Sequence, residues 1–474
     1  MIFNSTAFLV FFIIFFQLYW SINKYAGINI RNFLIILASY LFYGWWDWRF
    51  LSLIFVSSLT DYIIGLEMPK SNSITKRKIL LGFSLLVNLG FLGFFKYYNF
   101  FIDSLNELLG SFSLSPNSQT LNIILPVGIS FYTFQTLSYT IDLYRKKIHP
   151  EKNILAFFAF VSFFPQLVAG PIERASNLLG QFKEKKVFDY SDVVAGLRLL
   201  LWGMFKKVVI ADNLGVMVDQ LLLPGNETSG ISVLFAAFAF AFQIYADFSG
   251  YSDMAIGIAR TLGFHLMRNF KTPYFSSSLR EFWQRWHISL STWFRDYLYI
   301  PLGGSKVSIR RSHINVLITF LVSGLWHGAN VTFLLWGGLH GILLVLERKV
   351  KFRFPRLVSG LLIFIIVVLL WLPFRAESMQ HLKEMIIALF QFSDYRFDEL
   401  VEVIKSFSVI KFMSLATVFA GFIYAEWLIQ QRDFNEWIGQ FNKPWRWVGY
   451  YLLIITILML GNFSVKPDFI YFQF

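Results

Sequence analysis

The sequence predicts an all-α, polytopic membrane protein, and three observations carry that prediction. Of its 474 residues 56% are hydrophobic, 19% aromatic and only 15% charged, and the mean hydropathy is +0.55, far above that of a soluble chain of this length. Apolar runs recur between short polar connectors, and many are long enough for a bilayer core of roughly 30 Å, which takes about 20 helical residues. The runs at 79–95 and 357–374 are solid rather than alternating, which argues against the strands of a membrane barrel. Roughly eleven to thirteen transmembrane or re-entrant segments are expected, in a single membrane domain over 1–474.

Taken in order, Met1–Trp20 has no basic leader and no small-residue cleavage site, so it is expected to remain as the first membrane helix. Lys70, Lys76, Arg77 and Lys78 fill one basic connector and Arg145, Lys146, Lys147 and Lys152 another. The positive-inside rule places both in the cytoplasm and the N-terminus outside. Between about 171 and 312 the alternation degrades, because Lys183, Lys185, Lys186, Lys206 and Lys207 lie close to apolar runs, as re-entrant or interfacial helices would arrange them. Arg348, Lys349, Lys351, Arg353 and Arg356 mark a further cytoplasmic connector. The acid-rich stretch from Ala376 to Ser406 is expected outside, as is the tail that follows the last span. The formal charge of +13 is explained by these connectors, and no nucleic-acid partner is expected. The chain contains no cysteine, which excludes a Cys nucleophile and a structural disulfide.

The chemistry-bearing residues fall in four places. In the uncharged run from Ser312 to Leu346, His327 sits within Leu325-Trp326-His327-Gly328. A run of this length exceeds one perpendicular helix, and Gly324 and Gly328 predict a break at the histidine where another backbone or a substrate can approach. An ionisable residue at such depth is expensive and reads as functional, against a plain histidine bonded to a neighbouring carbonyl. His340 lies on another face and reads as packing. Upstream, Leu279 to Tyr297 has helical spacing, with Phe282, Trp286, Leu290, Trp293 and Tyr297 on one face and Glu281, Arg285, Thr292, Arg295 and Asp296 on the other, as in an interfacial helix. His287 borders its aromatic face beside Trp283 and is either a hydrogen-bonded structural residue or a reacting one. Third, Asp247, Ser249 and Asp253 lie between apolar helices. Buried carboxylates need cations, and Arg280, Arg285 and Arg295 are the candidates. Fourth, the tail Asp468–Phe474 reads as an interfacial aromatic anchor, with Tyr471 its only hydroxyl. No HExxH, Walker A, GxSxG or zinc spacing is present, and no metal is expected.

The blocks Phe248-Ser249-Gly250-Tyr251-Ser252-Asp253, Glu281-Phe282-Trp283 through Trp286-His287-Ile288-Ser289, Arg295-Asp296-Tyr297 through Pro301-Leu302-Gly303-Gly304, and Leu325-Trp326-His327-Gly328 together resemble the membrane-bound O-acyltransferase family. The similarity is closest to its bacterial alginate and peptidoglycan O-acetyltransferase branch and extends to the closing Phe469-Ile470-Tyr471-Phe472. The resemblance implies helices around a central tunnel, open to a cytoplasmic acyl thioester, acetyl-CoA, and to an exterior acceptor. It implies that His327 is catalytic and that His287, a position held by Asn in other branches, orients or polarises the reacting groups. Trp283, Trp286, Trp326, Asp247, Ser249, Asp253, Arg285 and Arg295 would line the site. Tyr471 would accept the acyl group before a partner, an extracytoplasmic SGNH-type transferase of the kind serving alginate or peptidoglycan, passes it to a glycan. The setting implied is the bacterial inner membrane. Two other readings stand beside it: D-alanyl transfer to teichoic acid from a carrier-protein thioester, and a lipid-linked sugar transporter in which buried Asp, Arg and His form a proton path.

Overall fold

The computed structural model describes residues 1–112, 120–168, 170–223, 229–349, 354–430 and 432–463. Among these, all regular structure is helical, with short 3-10 and π segments between α-helices and no strand. Six helical stretches are long and apolar enough to cross a bilayer: Thr6–Tyr25, Ile28–Lys70, Ile74–Ser111, Gly230–Thr261, Arg356–Arg375 and Val409–Leu428. The remaining apolar segments are shorter or broken helices. Faces of the long helices stay uncovered, with Leu361, Ile365 and Leu369 exposed on Arg356–Arg375, as expected of surfaces whose solvent is lipid.

The chain divides into two compact units. The first comprises Met1–Gly196 and Ile258–Met267. Its helices are started by local capping, as where the Ser5 side chain accepts from Phe8 N at the head of Thr6–Tyr25. They are held to one another by hydrogen bonds, the available directional force in an apolar bundle. Buried Asp61 accepts from Ser84 Oγ at 2.5 Å and Asn88 Nδ2 at 2.9 Å. Asn88 in turn accepts from Ser57 at 2.6 Å and Thr136 at 3.1 Å, which ties together the helices Leu51–Glu67, Ile74–Leu92 and Ile129–Tyr144.

The second unit, Leu197–Gly257 and Arg268–Phe474, carries the residues of interest. The long apolar run breaks where the glycines predict. One helix spans Ile309–His327 and the next Val331–Glu347, with Gly328 as the C-cap between them. Glycines on both arms let the two backbones touch. A Cβ at Gly337 would lie 2.2 Å from the Phe320 carbonyl oxygen, and one at Gly324 would lie 2.3 Å from the Phe333 carbonyl oxygen. These positions cannot carry a side chain unless the hairpin opens.

The expectation of one amphipathic helix over 279–297 is corrected. Two seven-residue helices, Leu279–Arg285 and Ile288–Phe294, are separated by an elbow at Trp286–His287, and a π turn follows over Arg295–Tyr299. Four of the five residues of the expected apolar face, Phe282, Trp286, Leu290 and Trp293, are buried, and Tyr297 is half-buried. The expected continuity is broken. The segment Asn269–Lys271 pairs with the elbow, Ile288 N donating to Asn269 O at 2.8 Å and Lys271 N to Arg285 O at 2.9 Å. No residue within 279–297 announces that interruption.

Gly337→Val should destabilise the detergent-solubilised protein by about 1–3 kcal/mol or prevent accumulation, because the overpacking meets rigid backbone. Gly338→Ala, whose new methyl would make an ordinary 3.4 Å contact with Leu321, should melt like the parent. Thermal melts of the two variants followed by size-exclusion fluorescence make the comparison.

Candidate active site

The two interruptions bring two histidines together. His327 is the last residue of Ile309–His327 and His287 is the elbow between the short helices, and their ring centroids are 6.5 Å apart. Both are buried, at 2% and 0% exposure. At that separation the rings are too far apart to hydrogen-bond directly, while one oxygen atom between them could lie within reach of both.

The surroundings are aromatic. Around His327 stand Trp326, Trp336 and Phe374, with centroids at 4.9, 5.0 and 5.4 Å. Phe248 meets His287 edge-on at 4.6 Å, and Trp326 reaches it at 6.0 Å. Trp371 stacks on Trp336 at 5.7 Å and also packs on Trp286. Trp286, Trp336, Trp371 and Phe374 are each at most 1% exposed, so water is largely kept from the rings. His340, read as packing, is fully buried and accepts from Trp283 Nε1 at 3.3 Å. Its ring sits 5.0 Å from Trp336, on whose ring His327 also packs.

His287 has left-handed backbone, φ 41° and ψ 55°, a conformation that costs on the order of 1–3 kcal/mol for a residue with a side chain. Asn269 clamps it. Asn269 Oδ1 lies 3.1 Å from His287 Nδ1, and also accepts from Ser289 N at 3.2 Å and Ser289 Oγ at 2.9 Å. His287 lies outside the six apolar spans, and burial holds its pKa well below the ordinary histidine range, so the ring is neutral. Asn269 carried no motif and was missed by sequence reasoning, as were Trp336, Trp371 and Phe374, which resemble any other core aromatics.

The expected partners of the carboxylates are also corrected. The ion pairs formed by Asp253 and Asp247 run to Lys206 and Lys207, at 2.6 and 2.8 Å. Lys207 is shared with Asp212 at 2.8 Å. Both lysines are 3% exposed and lie in the π segment Lys206–Ala211. Glu426, equally buried, accepts from the Tyr245 hydroxyl. The signal was present in the sequence, since Lys206-Lys207 is apolar on both sides, but the pair reads equally well as a topology marker. Arg285 instead pairs with Glu281 at 2.6 Å and Arg295 with Asp296 at 2.7 Å. The side chain of Ser249 is fully buried and makes no hydrogen bond among the described residues. Tyr471 lies outside the described residues. Among the described residues no three His, Asp or Glu side chains gather as a metal site.

Two buried imidazoles set among aromatic rings suit proton transfer between bound reactants. Comparison with known proteins gives the family of the chain. The profile of the MBOAT, membrane-bound O-acyltransferase family matches residues 145–372. The chain is 44% identical over 409 residues to the probable alginate O-acetylase of Pseudomonas putida, covering 84% of this chain and 82% of the relative. It is 37% identical over 379 residues to the peptidoglycan O-acetyltransferase of Helicobacter pylori, covering 73% and 71%. With the teichoic acid D-alanyltransferase of Streptococcus thermophilus it shares 30% over 238 residues, 47% of this chain and 56% of the relative. The chain belongs to the membrane-bound O-acyltransferase family, and it is a multi-pass membrane acyltransferase.

Lys207→Met should cost about 3–5 kcal/mol, because it leaves Asp212 and Asp247 buried without their cation. Adding Asp212→Asn and Asp247→Asn should recover most of that loss in a thermal melt and leave acyl transfer intact. A triple variant that is stable but inactive would make these carboxylates reacting groups rather than scaffold.

Proposed function

We propose that this protein is an O-acetyltransferase that takes an acetyl group from acetyl-CoA on the cytoplasmic side and delivers it outward for O-acetylation of a cell-envelope or exopolysaccharide glycan. The observation that carries the reading is the facing pair His287 and His327 in a chamber of buried tryptophan and phenylalanine. A thioester carbonyl is already activated, so the protein has to deprotonate a hydroxyl and hold two reactants together. The aromatic walls disfavour water, the competing nucleophile. The acetyl group, rather than D-alanine, is supported by the relatives. Those named for alginate and peptidoglycan O-acetylation align over 84% and 73% of the chain, and the D-alanyl-transferring one over 47%.

In this proposal the chain works as one domain in the bacterial inner membrane, with the connectors at Lys70–Lys78 and Arg348–Arg356 in the cytoplasm and both termini outside. Trp283, Trp286 and Trp326 belong to the walls of the acyl path, and Asp247, Ser249, Asp253, Arg285 and Arg295 to its supporting polar groups. Tyr471 takes the acetyl group first. A phenol with a pKa near 10 needs a base to attack a thioester, and the aryl ester it forms is itself a good donor to the serine of an SGNH-type partner.

His327→Ala should accumulate normally and lose transfer by about 10²- to 10⁴-fold or more, the range for removing a group that assists the proton transfer. Tyr471→Phe keeps the ring, and with it any anchoring role, but removes the nucleophile. It should abolish glycan acetylation, and mass spectrometry of the wild-type C-terminal peptide, isolated without the partner, should find an acetyl group on Tyr471. Normal acetylation in His327→Ala at wild-type levels would remove that histidine from the reaction. Full activity of Tyr471→Phe with no acetylated peptide would leave direct transfer in place of the relay.

A further inference from the structure

The contacts of Asn269 settle a question that the positions of the histidines alone leave open, namely which nitrogen of His287 faces the reaction as an acceptor. A backbone N–H can only donate. The Asn269 atom 3.2 Å from Ser289 N is therefore the amide oxygen, and the same oxygen receives Ser289 Oγ at 2.9 Å and lies 3.1 Å from His287 Nδ1. An amide oxygen has no proton to give, so His287 Nδ1 must hold one. In a neutral ring that puts the lone pair on Nε2. Such a ring cannot donate through Nε2, so His287 is not placed to polarise a thioester carbonyl, one of the two roles implied by the family resemblance.

We propose that Asn269 is a positioning residue of the acyl-transfer site, which fixes His287 in its Nδ1–H form so that His287 Nε2 is the atom that takes the proton of the acceptor hydroxyl. The inference rests on the acyl-transfer reading and assigns a role within it. The hydroxyl oxygen bonds to the acyl carbon and its proton moves to His287 Nε2. The carbon–sulfur bond then breaks, its electron pair stays on sulfur, and the proton passes from Nε2 to the leaving thiolate. Asn269 also holds the elbow mechanically, because its carbonyl oxygen receives Ile288 N at 2.8 Å. Any side chain at 269 can supply that backbone contact, whereas only an acceptor can set the tautomer. Serine 289 is the other group near Nδ1, at 3.5 Å, and its hydroxyl could in principle accept from the ring.

Solid-state ¹⁵N NMR of histidine-labelled protein in lipid bilayers separates these roles without any acyl donor, so its result is independent of whether acetyl transfer is the right function. With the His287 signal assigned by its loss in His287→Asn, the wild type should show a neutral ring protonated at Nδ1, unchanged in Ser289→Ala. Asn269→Ala should lose that preference and, in acyl transfer, lower kcat by about 10²-fold or more at little cost in KM. Asn269→Asp keeps an acceptor at the same place and should retain both the Nδ1–H form and transfer within about tenfold of wild type. A wild-type ring protonated at Nε2 would overturn the proposal whatever the variants do, and so would an Asn269→Ala protein with unchanged kcat. If Asn269→Ala fails to accumulate, the wild-type spectrum and Asn269→Asp still decide. Loss of transfer in Asn269→Asp with the Nδ1–H form intact would also count against it.

Discussion

Taking an imidazole out of water is costly unless its polar atoms are met by protein groups or by substrate, and the arrangement of the second unit follows from holding two such rings in one place. His287 is met by Asn269 and kept at an elbow whose backbone is left-handed. His327 closes its helix and is packed in a wall of aromatic rings. The left-handed conformation limits what can stand at 287. Asn and His are among the residues most tolerant of it, and a β-branched residue is among the least. That gives a backbone reason for the interchange of His and Asn at this position that the family resemblance implies, beside any chemical one.

Each histidine is presented by a chain interruption, and only one interruption could be read from the sequence. The break at His327 is encoded locally. Gly324 and Gly328 flank it, an uncharged run of that length exceeds a single helix, and the second arm carries Gly337 where the hairpin backbones touch. The elbow at His287 is encoded at a distance, by Asn269 and Lys271 pairing with Ile288 and Arg285, while the stretch itself contains neither Gly nor Pro and keeps helical spacing throughout. Periodicity therefore found the buried face, Phe282, Trp286, Leu290 and Trp293, and extended it through a point where the helix stops. Tertiary pairing overrides local spacing there.

The charged residues follow the same pattern. Composition and the solid apolar runs established an all-α membrane protein, and the basic connectors suggested an orientation. Lys206 and Lys207 fall where the alternation of connectors degrades. Apolar neighbours on both sides, Phe205 and Val208, suit burial as well as the end of a span, and in the structure the two lysines pair with Asp253, Asp212 and Asp247. Arg285 and Arg295, which the pattern offered as partners, are held within their own segment by Glu281 and Asp296. A sequence shows that buried carboxylates require cations, but two adjacent lysines also match the topology rule, and nothing local chooses between the two roles.

If the account is right, His287 and His327 act as a unit on one bound hydroxyl and thioester, and their coupling is its most direct test. Single-turnover acetyl transfer would be measured for His287→Ala, His327→Ala and the double variant, each at matched folded amounts in bilayers. Groups that serve the same proton transfer should be strongly non-additive, the double variant losing little more than the worse single one. Losses that multiply, the double variant falling by the product of the two single effects, would mean that the histidines act independently and would contradict the shared site.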